Sequence, residues 1–260
     1  MPLTTGLYYF DNGGHWARPA VILIHGAGGN HLHWPPEIRR LKDQRIYAID
    51  LPGHGKSEGI GRQSIADYAR SVIEFMEALK IQKAVFVGHS MGGAVALWLG
   101  IHHPSRTLGL GLIGTAPRLH VSSDLLSSSS VAATLPLCIK SITNLAFGPH
   151  TDPRTKELAA ERMAEIRYPV LHGDFMACDV FDETSMQGRI KAPALIICGS
   201  EDRMTPVRYS EAMHGRIKKS MLHVIDGAGH MVMLEQPLMV ANSLNLFLNS
   251  ITYQPGGSNL

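Results

Sequence analysis

The chain has 260 residues, 45% of them hydrophobic and 18% charged, the make-up of an ordinary globular protein with room for a full core. Its formal charge of +2 and pI near 8.4 give no acidic or basic bias toward nucleic acid or an anionic membrane. Three scattered cysteines, Cys138, Cys178 and Cys198, exclude a disulfide framework and a cysteine-based zinc site. Residues 1–6 lack the features of a secretory signal, and no apolar run reaches membrane-spanning length. The expectation is a cytoplasmic protein without stable membrane insertion and without a nucleic-acid partner.

In chain order, Tyr8–Asp11 reads as part of an edge hairpin. Ala20–His25 (AVILIH) and Ile46–Asp50 (IYAID) are near-continuous apolar runs, suited to strands buried on both faces of a parallel sheet. A helix is predicted from Ser64 to about Lys80. Ser64 and Asp67 form its start, and Ile65, Tyr68, Val72, Phe75, Met76 and Leu79 repeat every 3.6 residues. Ala84–Gly88 (AVFVG) is the next strand, passing through a glycine-rich turn into a helix over Met91–His102. Leu108–Ile113 is another strand.

From Pro117 to Ile190 the alternation stops. Helical patterns such as Thr155–Ile166 appear instead, punctuated by Ser127–Ser130 and Phe147-Gly148-Pro149. This predicts a helical cap over 117–190, inserted into a core built from 1–116 and 191–260. Ala194–Gly199 and Met221–Asp226 resume the strands, Pro206–Gly215 and Gln236–Leu248 the helices. Residues after Tyr253 read as a loose tail. Strands alternating with helices give an α/β protein with a mostly parallel central sheet.

Gly88-His89-Ser90-Met91-Gly92 falls where a predicted strand meets a predicted helix. A G-x-S-x-G sequence there lets the chain turn so sharply that the serine oxygen stands clear of the backbone. With 26 glycines in the chain the five-residue pattern alone is weak; the strand before it and the helix after it give it meaning. The N–H of Met91 opens that helix, where negative charge is favoured, and is a candidate oxyanion donor. A serine needs a base, and the base an orienting acid. Glu201 and Asp202 follow a late strand, and His230 follows a Gly-Ala-Gly loop. Asp226 is a further carboxylate nearby, whereas His223 lies inside its strand. His31 and His33 form an H-x-H pair, but Trp34-Pro35-Pro36 follows it and no metal is expected.

Five segments in fixed order resemble the α/β-hydrolase superfamily, in its serine carboxylesterase and lipase-like branch. They are His25–Gly29 (HGAGG), Asp50–Ser57 (DLPGHGKS), Gly88–Gly93 (GHSMGG), Gly199–Pro206 (GSEDRMTP) and Gly227–His230 (GAGH). The resemblance covers most of the chain. It implies an α/β-hydrolase fold with a helical cap and a triad of Ser90, His230 and Asp202. It selects Asp202 over Glu201, because the family's acid precedes a Thr/Val-Pro pair by a few residues. It also implies Ala27 N–H as the second oxyanion donor beside Met91, and no cofactor. His25 and His54 read as loop and turn residues.

The pocket wall is expected to include Trp34, Phe147, Met163 and Phe175. The reaction this implies is hydrolysis of a small-to-medium hydrophobic carboxylic ester through an acyl-enzyme, on a small-molecule substrate. Thioesters, lactones and carbon–carbon bonds are cleaved by relatives on the same triad. A carbon–carbon hydrolase of a ring-cleavage product would need polar groups in the cap for an extra carboxylate, and Arg162 and Arg167 are candidates by type. A non-enzymatic ligand receptor would keep the same pocket. Asp174, Asp179 and Asp182 in the cap carry no assigned role.

Overall fold

Every residue of β3 (Ala20–Ile24), β4 (Arg45–Ile49) and β5 (Ala84–His89) is buried, as strands covered on both faces must be. In the computed structural model, which describes residues 3–15 and 17–253, they form the middle of one eight-stranded sheet. The predicted tail after Tyr253 lies outside the described residues. β1 (Leu3–Thr4) and β2 (Leu7–Asp11) make the edge hairpin, with β2 antiparallel to β4. β6 (Thr107–Ile113), β7 (Ala194–Gly199) and β8 (Ser220–Ile225) complete the sheet in parallel, in the order β1-β2-β4-β3-β5-β6-β7-β8.

That order fixes where a ligand goes. From β3 the chain passes to β4 on one side and then returns to β5 on the other. The strand order therefore reverses at β3 and β5, and open α/β sheets bind ligands in the crevice beyond the carboxyl ends of such strands. The register places Ile24 beside Gly88, so the His25–Gly29 loop and the turn at Ser90 leave the sheet side by side.

The helices follow from their patterns. After the short α1 (Pro36–Arg39) comes α2 (Ile65–Ala78), capped by Ser64, whose hydroxyl accepts from Asp67 N–H at 3.1 Å. α2 buries Tyr68, Val72 and Phe75, whereas α3 (Met91–His102) buries ten of its twelve residues between the sheet and α2. A helix apolar on all sides belongs in the core. Between β6 and β7 lie α4 (Ser123–Ser129), α5 (Leu135–Ala146), α6 (Pro153–Met163) and α7 (Tyr168–Asp179). An isolated bridge between Arg118 and Asp182, which the apolar pattern gave no reason to expect, pins the two ends of this segment together. α8 (Val207–Arg216), α9 (Val232–Glu235) and α10 (Pro237–Ser250) complete the chain. Among the described residues no single helix is long and apolar enough to cross a membrane.

Candidate active site

Ser90 stands between β5 and α3 with φ 52° and ψ −117°, a left-handed conformation that a side chain adopts only under constraint. The constraint is visible in its neighbours. A Cβ on Gly88 would overlap the carbonyl of Gly92, and one on Gly92 would overlap that of Ile24. Ser90 N–H donates to Ile113 at 2.9 Å, and Thr115 Oγ1 donates to the Ser90 carbonyl at 2.8 Å. The backbone is thus held from both sides while the hydroxyl, bonded to no described residue, faces a cavity of about 330 Å³. That volume lies within the range of small-molecule sites.

His230 faces the same cavity. Its Nδ1–H donates to Asp202 Oδ2 at 2.9 Å, so in the neutral ring Nε2 is the acceptor. The other oxygen of Asp202, Oδ1, accepts the N–H groups of Met204 and Thr205 at 2.9 and 2.8 Å. Burial pushes the Asp202 carboxyl up. The facing His230 and the hydrogen bonds from His230 and Thr205 outweigh it and hold the group below its usual range. Glu201 is exposed and does not meet His230, while Asp226 accepts a 3.3 Å bond from Ser200 and shapes the loop. His223 bonds Ser243 instead, at 2.6 Å.

The amides of Ala27 and Met91 both lack a described acceptor. In the loop after β3, Gly29 N–H is spent on Gly26 and Gly28 N–H on Asp174, whereas the N–H groups of Gly26 and Ala27 have no described acceptor. Ser90 N–H is spent on Ile113, and Met91 sits at the first position of α3, where no intrahelical acceptor exists. Ala27 also lines the cavity.

Of the expected wall residues, Met163 and Phe175 line the cavity. Trp34 and Phe147 do not. The 3-10 turn at His31–His33 and the two prolines after Trp34 swing its indole fully into the core. Phe147 ends α5 in extended conformation and is buried beneath it. Arg162 and Arg167 are also away from the cavity, donating to the carbonyls of Leu32 and Gly59 at 3.3 and 2.6 Å. Among the described residues no group of three His, Cys, Asp or Glu side chains could hold a metal; His31 pairs with Asp50 at 2.9 Å.

Three groups had no assigned place in the sequence reading. His89 Nε2–H donates to the His230 carbonyl at 2.9 Å and its ring lies 4.8 Å from that of His230. Burial, then the neighbouring His230, holds His89 down to about 3, so it is neutral. Glu235 accepts from Gly148 N–H and Gly229 N–H, both at 2.9 Å, tying the α5–α6 turn to the His230 loop.

The third is a buried polar knot beneath the 26–29 loop. Asp174, on α7, accepts from Gly28 N–H at 2.8 Å, from Tyr68 at 2.5 Å and from His54 Nε2–H at 2.8 Å. His54 Nδ1–H donates to Pro52 at 3.1 Å, so both its ring nitrogens face acceptors, which only the imidazolium satisfies. Burial pushes His54 down, but Asp174, Pro52 and Asp50 together raise it above the usual histidine range. His25, 4.8 Å away, is pushed well down by burial and by this neighbour. It donates to Gly26 at 2.8 Å and accepts from Leu51 N–H at 3.0 Å, a loop-shaping role.

Comparison with known proteins places the chain in a family. The model of the alpha/beta hydrolase family matches residues 21–243. The chain is 29% identical over 239 residues to 3-oxoadipate enol-lactonase 1 of Acinetobacter baylyi (strain ATCC 33305 / BD413 / ADP1), covering 90% of each. It superposes on a thermophilic esterase with a TM-score of 0.83 at 33% identity, over 96% of each chain. The enol-lactonase of Burkholderia xenovorans LB400 gives a TM-score of 0.86 over 94% of this chain and 96% of its own, and at 22% identity that likeness speaks to the fold alone. A parallel sheet with its serine turn at the strand-order reversal, and a family match over most of its length, make this chain a member of the alpha/beta hydrolase family.

Proposed function

We propose that this protein is a serine hydrolase that cleaves small-to-medium hydrophobic carboxylic esters through an acyl-enzyme. The observation that carries the reading is the His230–Asp202 pair, with Nε2 left as acceptor, sharing one cavity with the serine at the strained turn. In this mechanism Ser90 Oγ attacks the ester carbonyl as its proton passes to His230 Nε2. The N–H groups of Ala27 and Met91 take the oxyanion, and Asp202 stabilises the imidazolium. The leaving alcohol takes the proton from His230. Water, activated by the same nitrogen, then releases the acid and restores Ser90.

The helices over 117–190 act as the cap. Leu125, Ile142, Met163 and Phe175 bring apolar surface from it to the cavity, which suits an ester with an apolar body. The cavity volume sets the size class. An internal ester, a lactone, is the second reading, supported by the enol-lactonase relative that aligns with 90% of the chain. Hydrolysis of p-nitrophenyl esters of rising acyl length tests the first. The expected profile rises to a maximum at short or medium chains and then falls. No turnover at any length by the folded protein would sink the reading.

A further inference from the structure

The apolar body of the cavity has a cationic side. Arg118, Arg203 and Arg208 all line it, together with His120, and no aspartate or glutamate among the described residues does. Among the described residues, two of the three guanidinium groups lack a carboxylate partner. Among the described residues Arg203 donates through Nη2 to the backbone carbonyls of Asn144 and Phe147, contacts that leave its charge unneutralised. Arg208 lies over the Tyr209 ring, 4.8 Å from its centroid, with a 3.5 Å bond to the phenol oxygen. Arg118 reaches Asp182 only at 3.7 Å, with both side chains largely in solvent. His120 stands 3.4 Å from Asp179 and is likewise exposed.

Arg162 and Arg167 also donate to backbone carbonyls, but they do not line the cavity. Arg203 comes directly after Asp202, and Arg208 stands in the first turn of α8, so both are carried by the segment that holds the His230 partner. Arg203 and Arg208 are exposed like Arg118, and their guanidinium groups present paired N–H donors that match a carboxylate in geometry where water also reaches them. A purely hydrophobic ester would leave this side of the cavity without a counter-charge.

We propose that the substrate is an ester or lactone whose apolar body also carries a carboxylate, held by Arg208 and Arg203 with Arg118 at the outer edge. This rests on the ester-hydrolase reading above and names the class of substrate that site takes. Hydrolysis of such a compound adds one water and yields an acid that carries a second carboxylate when the first is on the acyl half, or a hydroxy acid when it is on the alcohol half.

The test compares each carboxylate ester with its neutral isostere. For the acyl half the pair is the p-nitrophenyl monoester of glutarate and p-nitrophenyl isoheptanoate, in which an isopropyl group replaces the carboxylate. For the alcohol half the pair is the butyrate esters of p-hydroxyphenylacetate and of p-isobutylphenol. In at least one pair the charged ester is expected to have a kcat/KM about tenfold higher or more, mainly through KM, the scale of one charge-assisted hydrogen bond. The ratio within that pair falls several-fold in Arg208→Gln, a comparison that any general loss of folded enzyme leaves unchanged.

Calorimetric titration of the Ser90→Ala protein with glutarate and with neutral glutaramide gives a readout free of turnover; binding of glutarate in preference is expected. Equal or better cleavage of the neutral ester in both pairs overturns the proposal, as does indifference between glutarate and glutaramide. If no ester is cleaved at all, the ester-hydrolase reading fails, and the titration still decides whether the cavity selects a carboxylate.

Discussion

Asp202→Asn is expected to lower kcat by about four orders of magnitude with the fold intact, because it installs the wrong histidine tautomer. The reason lies in how the two carboxylate oxygens are used. Oδ1 accepts two backbone N–H groups, so the asparagine carbonyl oxygen must take that place. The amide NH2 is then forced to the Oδ2 position, facing His230 Nδ1, now 2.9 Å away. A donor there makes Nδ1 the acceptor and puts the proton on Nε2, which can no longer take one from Ser90. KM should change little, since Asp202 does not line the cavity. Steady-state kinetics on a p-nitrophenyl ester, beside a thermal melt of both proteins, checks this. A loss below tenfold would mean that another carboxylate orients His230.

The second large effect concerns stability. Asp174→Ala removes the acceptor for Gly28 N–H, Tyr68 and His54 at one stroke, 146 residues in sequence from the loop that it anchors. Breaking a buried pair by deleting one partner costs about 3–5 kcal/mol. The lower end is expected here, because His54 can shed its proton once Asp174 is gone. With the 26–29 loop released, kcat should also fall, on the order of tenfold to a hundredfold, as the Ala27 amide loses its fixed position. The pH dependence carries the signature of the pair. The folded His54 is raised above its unfolded value near 6.5. Its contribution is therefore complete below about pH 6.5 and is lost as the pH rises through the folded value. Urea unfolding should show the gap between wild type and variant widest in mild acid and narrowing toward alkaline pH. A gap independent of pH would assign the loss to packing alone.

Much of this frame was legible in the sequence because it is written locally. Apolar runs such as AVILIH and ALIICG suit covered strands, and Ser64 with Asp67 announces a helix start that the structure places at Ile65. The serine turn was legible for the same reason, since strand, glycines and helix are contiguous. The knot at Asp174 was not. Its partners come from a turn at His54, a helix at Tyr68 and a loop at Gly28, and nothing in the spacing of these residues signals that they meet.

Proximity in sequence also misled. Trp34 follows the loop that holds Ala27 closely, yet a short helical turn and two prolines send its ring into the core. Arg162 and Arg167 were natural candidates for a substrate carboxylate because they belong to the segment over the sheet. The cavity instead takes Arg118 from the start of that segment, Arg203 from beside Asp202 and Arg208 from the first turn of α8. Which side chains of an inserted helix face inward depends on how it packs, and helical periodicity alone gives a face without saying what lies opposite it.

The most direct measurement is active-site labelling with a fluorophosphonate, followed by peptide mapping. The account predicts a single adduct, on Ser90, formed by the folded protein and absent from an equally folded Ser90→Ala variant. Labelling of the variant to the same extent, or an adduct on any other residue, would contradict it.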